Sequence, residues 1–414
     1  MNNKLKVLVI PSDKFGCGYF RSLNPHQYLF ANYGDIFDID IVENLNPNTN
    51  WGEYFKQYDI IHLHKQLDND CILIQLMKEN GCKVVVDVDD YFMISKGHPM
   101  FINDRISKEN AQPTINHLKL ADMVTTPTDI YKKELLKLNN NVVVIPNAIN
   151  PTENQFISKP TPSDRLRFGV ICGSSHQEDV KILRDSISIL PADVLNKIQI
   201  VLCGFDTEAY LTGSQIVLRG FDTGAYLNGS LIDPHSSVYF KYEEYLTNNY
   251  GIVSPEYENF LKNNITPNME YTTDNVPYKR YWTKNINKYA THYNNIDVLL
   301  VPLAETKFNS MKSQLKVVEA GFMHKAIIAQ NFGPYTIDLV PMVEKGGKVN
   351  ANGNSLLVDS SKNHKQWAKY ITMLANDRKM VEMLQNNLYN TVKDKYSLSE
   401  VSKIRVNAYQ SLVC

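Results

Sequence analysis

The sequence is short of several things that would narrow its function at once. Its six cysteines (Cys17, Cys71, Cys82, Cys172, Cys203, Cys414) contain no Cys-x-x-Cys pair, which speaks against a zinc ribbon or a dithiol redox motif. They read as reduced thiols in a cytoplasmic protein, several of them in buried strands. Neither charge dominates: 43 basic against 44 acidic residues leave a net −1, so no global field draws nucleic acid or anionic lipid. No apolar run reaches the roughly 18 residues of a bilayer span. The opening Met1-Asn-Asn-Lys-Leu-Lys-Val-Leu-Val-Ile-Pro11 turns polar too soon for a signal peptide. The expected location is therefore cytoplasmic, with peripheral attachment at the inner membrane face as an alternative.

The 414 residues suffice for two or three domains with large cores. Apolar runs at Leu5–Ile10, Ile36–Val42, Tyr58–His64, Lys83–Asp90, Met123–Thr126 and Asn141–Pro146 alternate with helical stretches at about 22–33, 71–80, 115–121 and 128–138. That alternation predicts a parallel sheet with helices on both faces. Asn150–Asp164, rich in Pro, Ser, Thr and Asn, reads as a linker. A second alternating unit opens at Leu166–Gly173, with strands at 199–203, 298–301 and 326–329. Residues 234–282 resist assignment, and Lys365–Leu388 and Glu400–Leu412 look helical. The predicted domains are 1–150 and 165–395, with 151–164 linking them, an irregular insertion at about 205–282 and a terminal helix at 396–414. One repeat is plain: Gly204-Phe-Asp-Thr-Glu-Ala-Tyr-Leu-Thr-Gly-Ser214 recurs as Gly220-Phe-Asp-Thr-Gly-Ala-Tyr-Leu-Asn-Gly-Ser230. It is too short for a solenoid. It reads as a tolerated surface duplication, or as an extension of a site around Phe205 and Asp206.

The richest segment is Phe308-Asn-Ser-Met-Lys-Ser-Gln-Leu-Lys-Val-Val-Glu-Ala-Gly-Phe322, followed by the apolar Lys325-Ala-Ile-Ile-Ala-Gln. It reads as a polar loop, a short helix and a buried strand. Amides and cations at a helix start (Lys312, Ser313, Lys316) suit a diphosphate, and a carboxylate one turn in (Glu319) suits a ribose diol. The plain alternative is an i, i+3 surface ion pair of Lys316 and Glu319, worth a few tenths of a kcal/mol.

This segment, with Pro302, resembles the donor-binding segment of two-domain (GT-B fold) glycosyltransferases, in particular bacterial surface-polysaccharide enzymes, some of them phage-encoded. Phe168-Gly-Val-Ile-Cys-Gly-Ser-Ser-His-Gln-Glu-Asp179, Asp87-Val-Asp-Asp90, Ala121–Thr128 and Val144–Ile149 match further segments in order. Ala148 stands where the family has glycine. Of the two glutamates usual in the wider superfamily, Glu319 fits the second, and Met311 holds the place of the first. Sugar contacts would then fall to Asn309 or to amides near Ser310.

The resemblance implies two Rossmann-like doubly wound domains facing across a cleft, with the last helix crossing back to the first domain. It implies transfer of a sugar, with retention, from a UDP- or GDP-sugar co-substrate to a hydroxyl of a glycan or lipid-linked glycan, with no metal and no other cofactor. Gly16, Gly18, Arg21, Gly173, Ser174 and His176 would serve the donor beside Lys312, Ser313, Lys316 and Glu319; His64, Asp90 and Lys316 would serve catalysis. Plainer readings remain beside these. The Gly16–Arg21 loop, which fails the Gly-x-Gly-x-x-Gly spacing at Arg21, fits a tight turn with a surface ion pair. His64 shares a strand face with His62 and fits a core histidine. Asp90 fits a helix cap, and His176 with Asp179 fits mutual capping. Two rival functions remain: glycosylation of a modified DNA base, or sugar-nucleotide or glycan binding without turnover.

Overall fold

The structure is a computed structural model and describes residues 4–43, 46, 48–65, 68–96, 98, 101–204, 207–212, 215–219, 226–227, 230–231, 238–247, 255–257, 259, 270–272, 276–344 and 346–413. By contact the chain divides into two units. The first comprises Met1–Asn150, Thr306–Leu315 and Asp394–Cys414, and the second Pro151–Glu305 and Lys316–Lys393.

In the first unit six strands form one parallel sheet: β1 (Leu5–Ile10), β2 (Phe37–Ile41), β3 (Ile60–His64), β4 (Lys83–Asp87), β5 (Met123–Thr126) and β6 (Val142–Val144), in the order β2-β1-β3-β4-β5-β6. The inner strands are largely buried on both faces, which is why they read as mostly apolar runs and not as alternating ones. At the edge, β2 alternates: Phe37 and Ile39 turn inward while Asp38 and Asp40 face water. Exposed charge on an edge strand blocks pairing with another chain. Helix Asp104–Leu120 is far longer than the expected 115–121. Asn103 caps it, accepting Ile106 N–H at 2.9 Å. Its first turns are polar and solvent-facing, which hid them from a search for apolar periodicity.

The C-terminal helix Leu398–Val413 lies on the first unit, as the sequence resemblance implies. Val406, Ala408 and Tyr409 close an apolar cluster over Val7, Val9, Phe37, Ile39 and Ile60. The Tyr409 hydroxyl sits between His26 Nε2 (2.7 Å) and His62 Nδ1 (2.9 Å). His26 Nδ1 lies 2.6 Å from the Ser22 carbonyl, an acceptor, so Nδ1 carries the proton. Nε2 then accepts from Tyr409, and Tyr409 accepts from His62 Nδ1–H. Burial holds both imidazoles well below their usual pKa, hence neutral.

In the second unit the strands are β7 (Leu166–Ile171), β8 (Ile198–Cys203), β9 (Thr207–Thr212), β10 (Gln215–Arg219), β11 (Tyr226–Leu227), β12 (Ser230–Leu231), β13 (Tyr278–Tyr281), β14 (Val298–Val301), β15 (Ala326–Gln330) and β16 (Leu356–Val358). The main sheet runs β13-β8-β7-β14-β15-β16, all parallel. Counted within the unit this is the order 3-2-1-4-5-6 of the doubly wound nucleotide-binding fold. Among the described residues of the repeat region, β9 pairs with β10 and β11 with β12, both antiparallel. The stretch without assignment, 234–282, contains helix Val238–Thr247 and strand β13. The presumed linker is no loose tether: Gln155 and Phe156 are buried, and Lys159 N–H and Thr161 N–H bond to Asn294. The C-terminal helices split at Asp377, whose carboxylate caps the second by accepting Met380 N–H. Gly321 lets its helix approach another closely: a Cβ there would meet Val392 Cγ2 at 2.4 Å. Among the described residues no helix is long and apolar enough to cross a membrane.

Candidate functional site

Open α/β sheets bind ligands outside the carboxyl ends of their strands, where the strand order reverses. In the first unit that point lies between β1 and β3. The chain leaving β1 folds back on itself: Asp13 Oδ1 accepts Phe15 N–H (2.9 Å) and Gly18 N–H (3.1 Å), and Oδ2 accepts the Ser12 hydroxyl (2.8 Å). A Cβ on Gly18 would lie 1.9 Å from the Asp13 carbonyl oxygen, so only glycine fits. The amides expected to face a ligand here are thus taken in part by Asp13's own carboxylate. Gly16, by contrast, has open space around its α-carbon.

At the end of β3, His64 is buried, with Nδ1 2.7 Å from Ser12 Oγ and Nε2 3.3 Å from Asp89 Oδ1. His62, on the same strand, turns instead to His26 and Tyr409 under the helices. The next residue, Lys65, takes a left-handed backbone (φ 66°) and brings its ammonium 3.8 Å from Asp89. The three acidic residues leaving β4 part company. Asp87 is fully buried and grips Arg21 through two bonds (2.9 and 2.6 Å), while Thr125 donates to it at 2.5 Å. Asp89 faces His64, Lys65 and Cys17; burial would raise its carboxyl, but the Lys65 charge and the His64 hydrogen bond hold it far below the usual range. Asp90 is half-buried and accepts the Cys17 thiol at 3.6 Å. Burial, with Asp89 and Asp90, pushes that thiol well up, so it stays protonated.

Arg21 is placed differently from both expectations. It is neither a surface ion pair nor within reach of a ligand: it is fully buried, and besides Asp87 it donates to the Ile145 carbonyl (2.6 Å) and Asn147 Oδ1 (2.9 Å). It ties the start of the first helix to the ends of β4 and β6.

The second unit reverses its strand order between β7 and β14. Chain leaving β7 makes a 3-10 turn, Ser174–His176, then helix Gln177–Val180. His176 Nδ1 lies 2.7 Å from Asp179 Oδ2, and Asp179 Oδ1 accepts Ala304 N–H (2.8 Å) just past β14. The His176–Asp179 pair therefore holds the two strand ends of the switch point together. The Gly173 carbonyl accepts the Tyr242 hydroxyl at 2.9 Å. To the same edge helix Leu315–Phe322 brings Lys316, whose ammonium donates to the Ile171 carbonyl, the last of β7, at 2.8 Å. One turn on, Glu319 is 4% exposed. Its Oε2 accepts Tyr293 at 2.7 Å and its Oε1 accepts Tyr289 in a short bond. Burial raises its pKa, while the two phenols and the Lys316 charge pull it back. Each oxygen keeps a second acceptor site.

The polar stretch before that helix is not all loop. Lys307–Ser310 is a helical turn capped by Thr306, whose hydroxyl accepts Asn309 N–H at 3.1 Å. Residues 306–315 cluster by contact with the first unit, because Phe308 and Met311 lie in its apolar core. Within that unit Ser313 Oγ accepts Asn147 Nδ2–H at 3.0 Å, Asn309 is buried, and Lys312 lies over the Phe308 ring, 5.4 Å from its centre. Lys312 and Ser313 thus precede the helix, and of the expected cations only Lys316 is in its first turn. Phe205 and Asp206 lie outside the described residues.

Ser12, Asp13, Lys65 and Asp89 in the first unit, and Tyr289 and Tyr293 in the second, join these groups without having been singled out in the sequence. Asp89 sat in a motif already noted. Nothing in the sequence pairs the tyrosines with a glutamate 26 and 30 residues later.

No family model matches the sequence, and no curated protein is significantly similar to it. Solved structures are similar across nearly the whole chain. One is a glycosyltransferase from Rickettsia africae ESF-5 (12% identity, 99% of each chain covered, TM-score 0.60). A second is Anabaena Alr3699/HepE in complex with UDP and glucose (12% identity, 98% of this chain and 100% of that one, TM-score 0.61). A third is the catalytic domain of starch synthase IV from Arabidopsis thaliana bound to ADP and acarbose (11% identity, 99% and 100%, TM-score 0.58). At such identities the likeness is one of fold, and it agrees with the two six-stranded parallel sheets: the chain has the GT-B fold, built from two Rossmann-like units.

Proposed function

We propose that this protein is a glycosyltransferase that moves a sugar from a nucleotide-diphosphate donor to an acceptor hydroxyl, with the second unit binding the donor. The observation that carries the reading is the meeting of Lys316 with the carboxyl end of β7 in a sheet of order 3-2-1-4-5-6. In such sheets a diphosphate lies at the switch point against a helix N-terminus. Lys316 supplies a cation there, with Lys312 as the second cation that the sequence resemblance assigns. Gly173 and the residues after it supply amides, and Glu319 takes the ribose hydroxyls through the acceptor sites its tyrosines leave. Stabilising the departing diphosphate by fixed positive charge is then the main source of rate.

In the first unit, Asp90 and His64 are the groups we assign to the acceptor side. Asp90 is the most exposed carboxylate of its trio and orients the attacking hydroxyl. His64, held by Ser12 and Asp89, stands by the sugar or the departing phosphate. Retention and a glycan or lipid-linked acceptor complete the reading on the strength of the sequence resemblance, and a cytoplasmic location on that of the scattered, unpaired cysteines.

Incubation with UDP-, GDP- and dTDP-sugars, following slow nucleotide release, tests the class directly. Release with one donor and not the others supports it; no release and no nucleotide affinity with any of them removes it. Binding without release would point to a non-catalytic sugar-nucleotide binder, and a salt-sensitive mobility shift with duplex DNA to a base-modifying enzyme. Lys316→Ala and Glu319→Ala each remove a charged hydrogen-bond partner, worth about 1.5–3 kcal/mol, or roughly ten- to a hundredfold in donor Kd. Unchanged affinity in both variants takes these residues out of the site.

A further inference from the structure

We propose that Asp13, Ser12, His64 and Asp89 form a proton relay that opens to solvent at Ser12 and takes the proton of the acceptor hydroxyl in the sugar transfer. The four side chains make one unbroken row at the carboxyl ends of β1, β3 and β4. Asp13 Oδ2 is 2.8 Å from Ser12 Oγ, Ser12 Oγ is 2.7 Å from His64 Nδ1, and His64 Nε2 is 3.3 Å from Asp89 Oδ1. Ser12 is exposed, while His64 and Asp89 are buried. Both ring nitrogens of His64 are engaged, so what the imidazole does for a substrate passes through Ser12.

The protons along the row can be counted. Asp89 is ionised and only accepts, so His64 Nε2 holds a proton. In a neutral ring Nδ1 is then bare, and is an acceptor too. Asp13 Oδ2 is a third acceptor, while its Oδ1 takes the amides of Phe15 and Gly18. Ser12 therefore stands between two acceptors with a single hydroxyl proton. While His64 is neutral, only one of its two short contacts can be a hydrogen bond. One more proton, on Nδ1, completes the row: Nδ1–H donates to Ser12 Oγ, and Ser12 O–H donates to Asp13. The row thus has two states one proton apart, and only the Ser12 hydroxyl has to turn between them.

The groups around the ring accommodate that proton. Asp89 has the Lys65 ammonium at 3.8 Å and the protonated Cys17 thiol beside it, with Asp90 on the far side of the thiol. Asp87, at the end of β4, is offset by Arg21. His62, two residues back on β3, is neutral. Asp13, Asp89 and Asp90 thus outnumber Lys65, and their charge holds an imidazolium against the cost of burying it. In the transfer the acceptor oxygen bonds to the anomeric carbon as the bond from that carbon to the phosphate oxygen breaks. The nucleoside diphosphate leaves with the electron pair. The acceptor's proton passes to Ser12 Oγ while the Ser12 proton passes to His64 Nδ1, and it later returns to solvent by the same path. Ser12 is the catalytic residue of the row; His64 and Asp89 are positioning residues behind it.

The relay rests on the glycosyltransferase reading, and two measurements on the whole protein separate their fates. The first needs no substrate. In protein labelled with ¹⁵N-histidine, His64 is assigned by its loss in His64→Gln. Its neutral ring should carry the proton on Nε2, and Ser12→Ala should shift its titration. A neutral ring protonated on Nδ1 instead overturns the relay, because Nδ1 then cannot receive the Ser12 proton. The second uses the donor found by nucleotide release. Wild-type kcat should rise with pH to a plateau as His64 loses its proton. Ser12→Ala, a change at an exposed position, should lower the plateau about a hundredfold, flatten the acid limb and leave donor Kd unchanged. Ser12→Thr, which keeps the hydroxyl, should recover most of the rate. Wild-type kcat in Ser12→Ala would mean that the proton leaves by another route, such as the departing phosphate. That result overturns the relay and leaves the glycosyltransferase reading standing. A wild type that turns over no sugar donor removes that reading, and the relay's role with it, whatever the state of His64.

Discussion

Single residues in this chain repeatedly hold a place different from the one their type suggests. Arg21 follows a glycine-rich turn and looks like a ligand-binding cation, yet it is sealed in the core with Asp87. Removing one member of a buried ion pair strands the other, at about 3–5 kcal/mol. Arg21→Met should therefore lower unfolding stability by that amount in a denaturant titration; a loss under about 1 kcal/mol would mean the pair is hydrated or readily replaced. Glu319 gives the opposite case, a carboxyl whose pKa burial has raised. Below its unfolded pKa of about 4.5 it is protonated in both states. As pH rises through the folded pKa the buried carboxyl must ionise, and the stability it contributed is lost. Glu319→Gln should thus gain stability relative to the wild type as pH rises above about 4.5, while donor affinity falls. A constant difference in melting temperature between pH 4 and pH 8 would contradict this. The motif around Glu319 was legible in the sequence because it is a local pattern of charges on a helix. Its burial between Tyr289 and Tyr293 was not, because those contacts depend on how distant elements meet.

Among elements, the parallel strands were the most legible, since strands buried on both faces read as short continuous apolar runs. β13 escaped because Tyr278-Lys-Arg-Tyr281 looks like a surface segment. Its Arg280 is in fact fully buried, pairing with Glu243, which also accepts the Tyr278 hydroxyl at 2.7 Å. A buried charge with its partner 37 residues away leaves no periodic trace. The last helix shows how one side chain can fix an element. Tyr409 joins His26 and His62 in a chain of three hydrogen bonds that ends on the Ser22 carbonyl. Tyr409→Phe would leave an acceptor on His26 and a donor on His62 buried and unpaired, at about 1–3 kcal/mol each. The expected result is a drop of a few kcal/mol in unfolding free energy, with exchange of the 398–413 amides accelerated more than that of β3 and β4. Uniform acceleration across the unit would show that the helix and the sheet unfold only together.

For the whole molecule, alternation of strands and helices predicted two Rossmann-like units, but neither strand order nor the assembly of the first unit from three separate segments could be read off. Order is set by crossovers, which the sequence does not mark. The return of the last helix was foreseen only through the family resemblance. The contact of residues 306–315 with the first unit rests on two apolar side chains, Phe308 and Met311, in an otherwise polar run. This composite build has a direct consequence. Residues 1–150 expressed alone would expose the faces of Val7, Val9, Phe37, Ile39 and Ile60 that Val406, Ala408 and Tyr409 cover. A fragment with that much bare apolar surface should bind hydrophobic dyes, melt without cooperativity and aggregate. The remedy lies in the backbone: Ile149 N–H donates to the Tyr396 carbonyl at 2.9 Å and Leu398 N–H to the Ile149 carbonyl at 2.8 Å, so the end of the first segment runs beside the start of the last. Because the two segments run parallel, a glycine-serine link long enough to turn back from Asn150 to Asp394 is needed to join them, and the fused 1–150/394–414 protein should then melt cooperatively. Phe308 and Met311 are 8% and 9% exposed, at the margin of their core, so their absence weakens the fused unit without preventing its folding. If 1–150 alone melts as sharply as the fusion, the helix only covers a unit that is already complete.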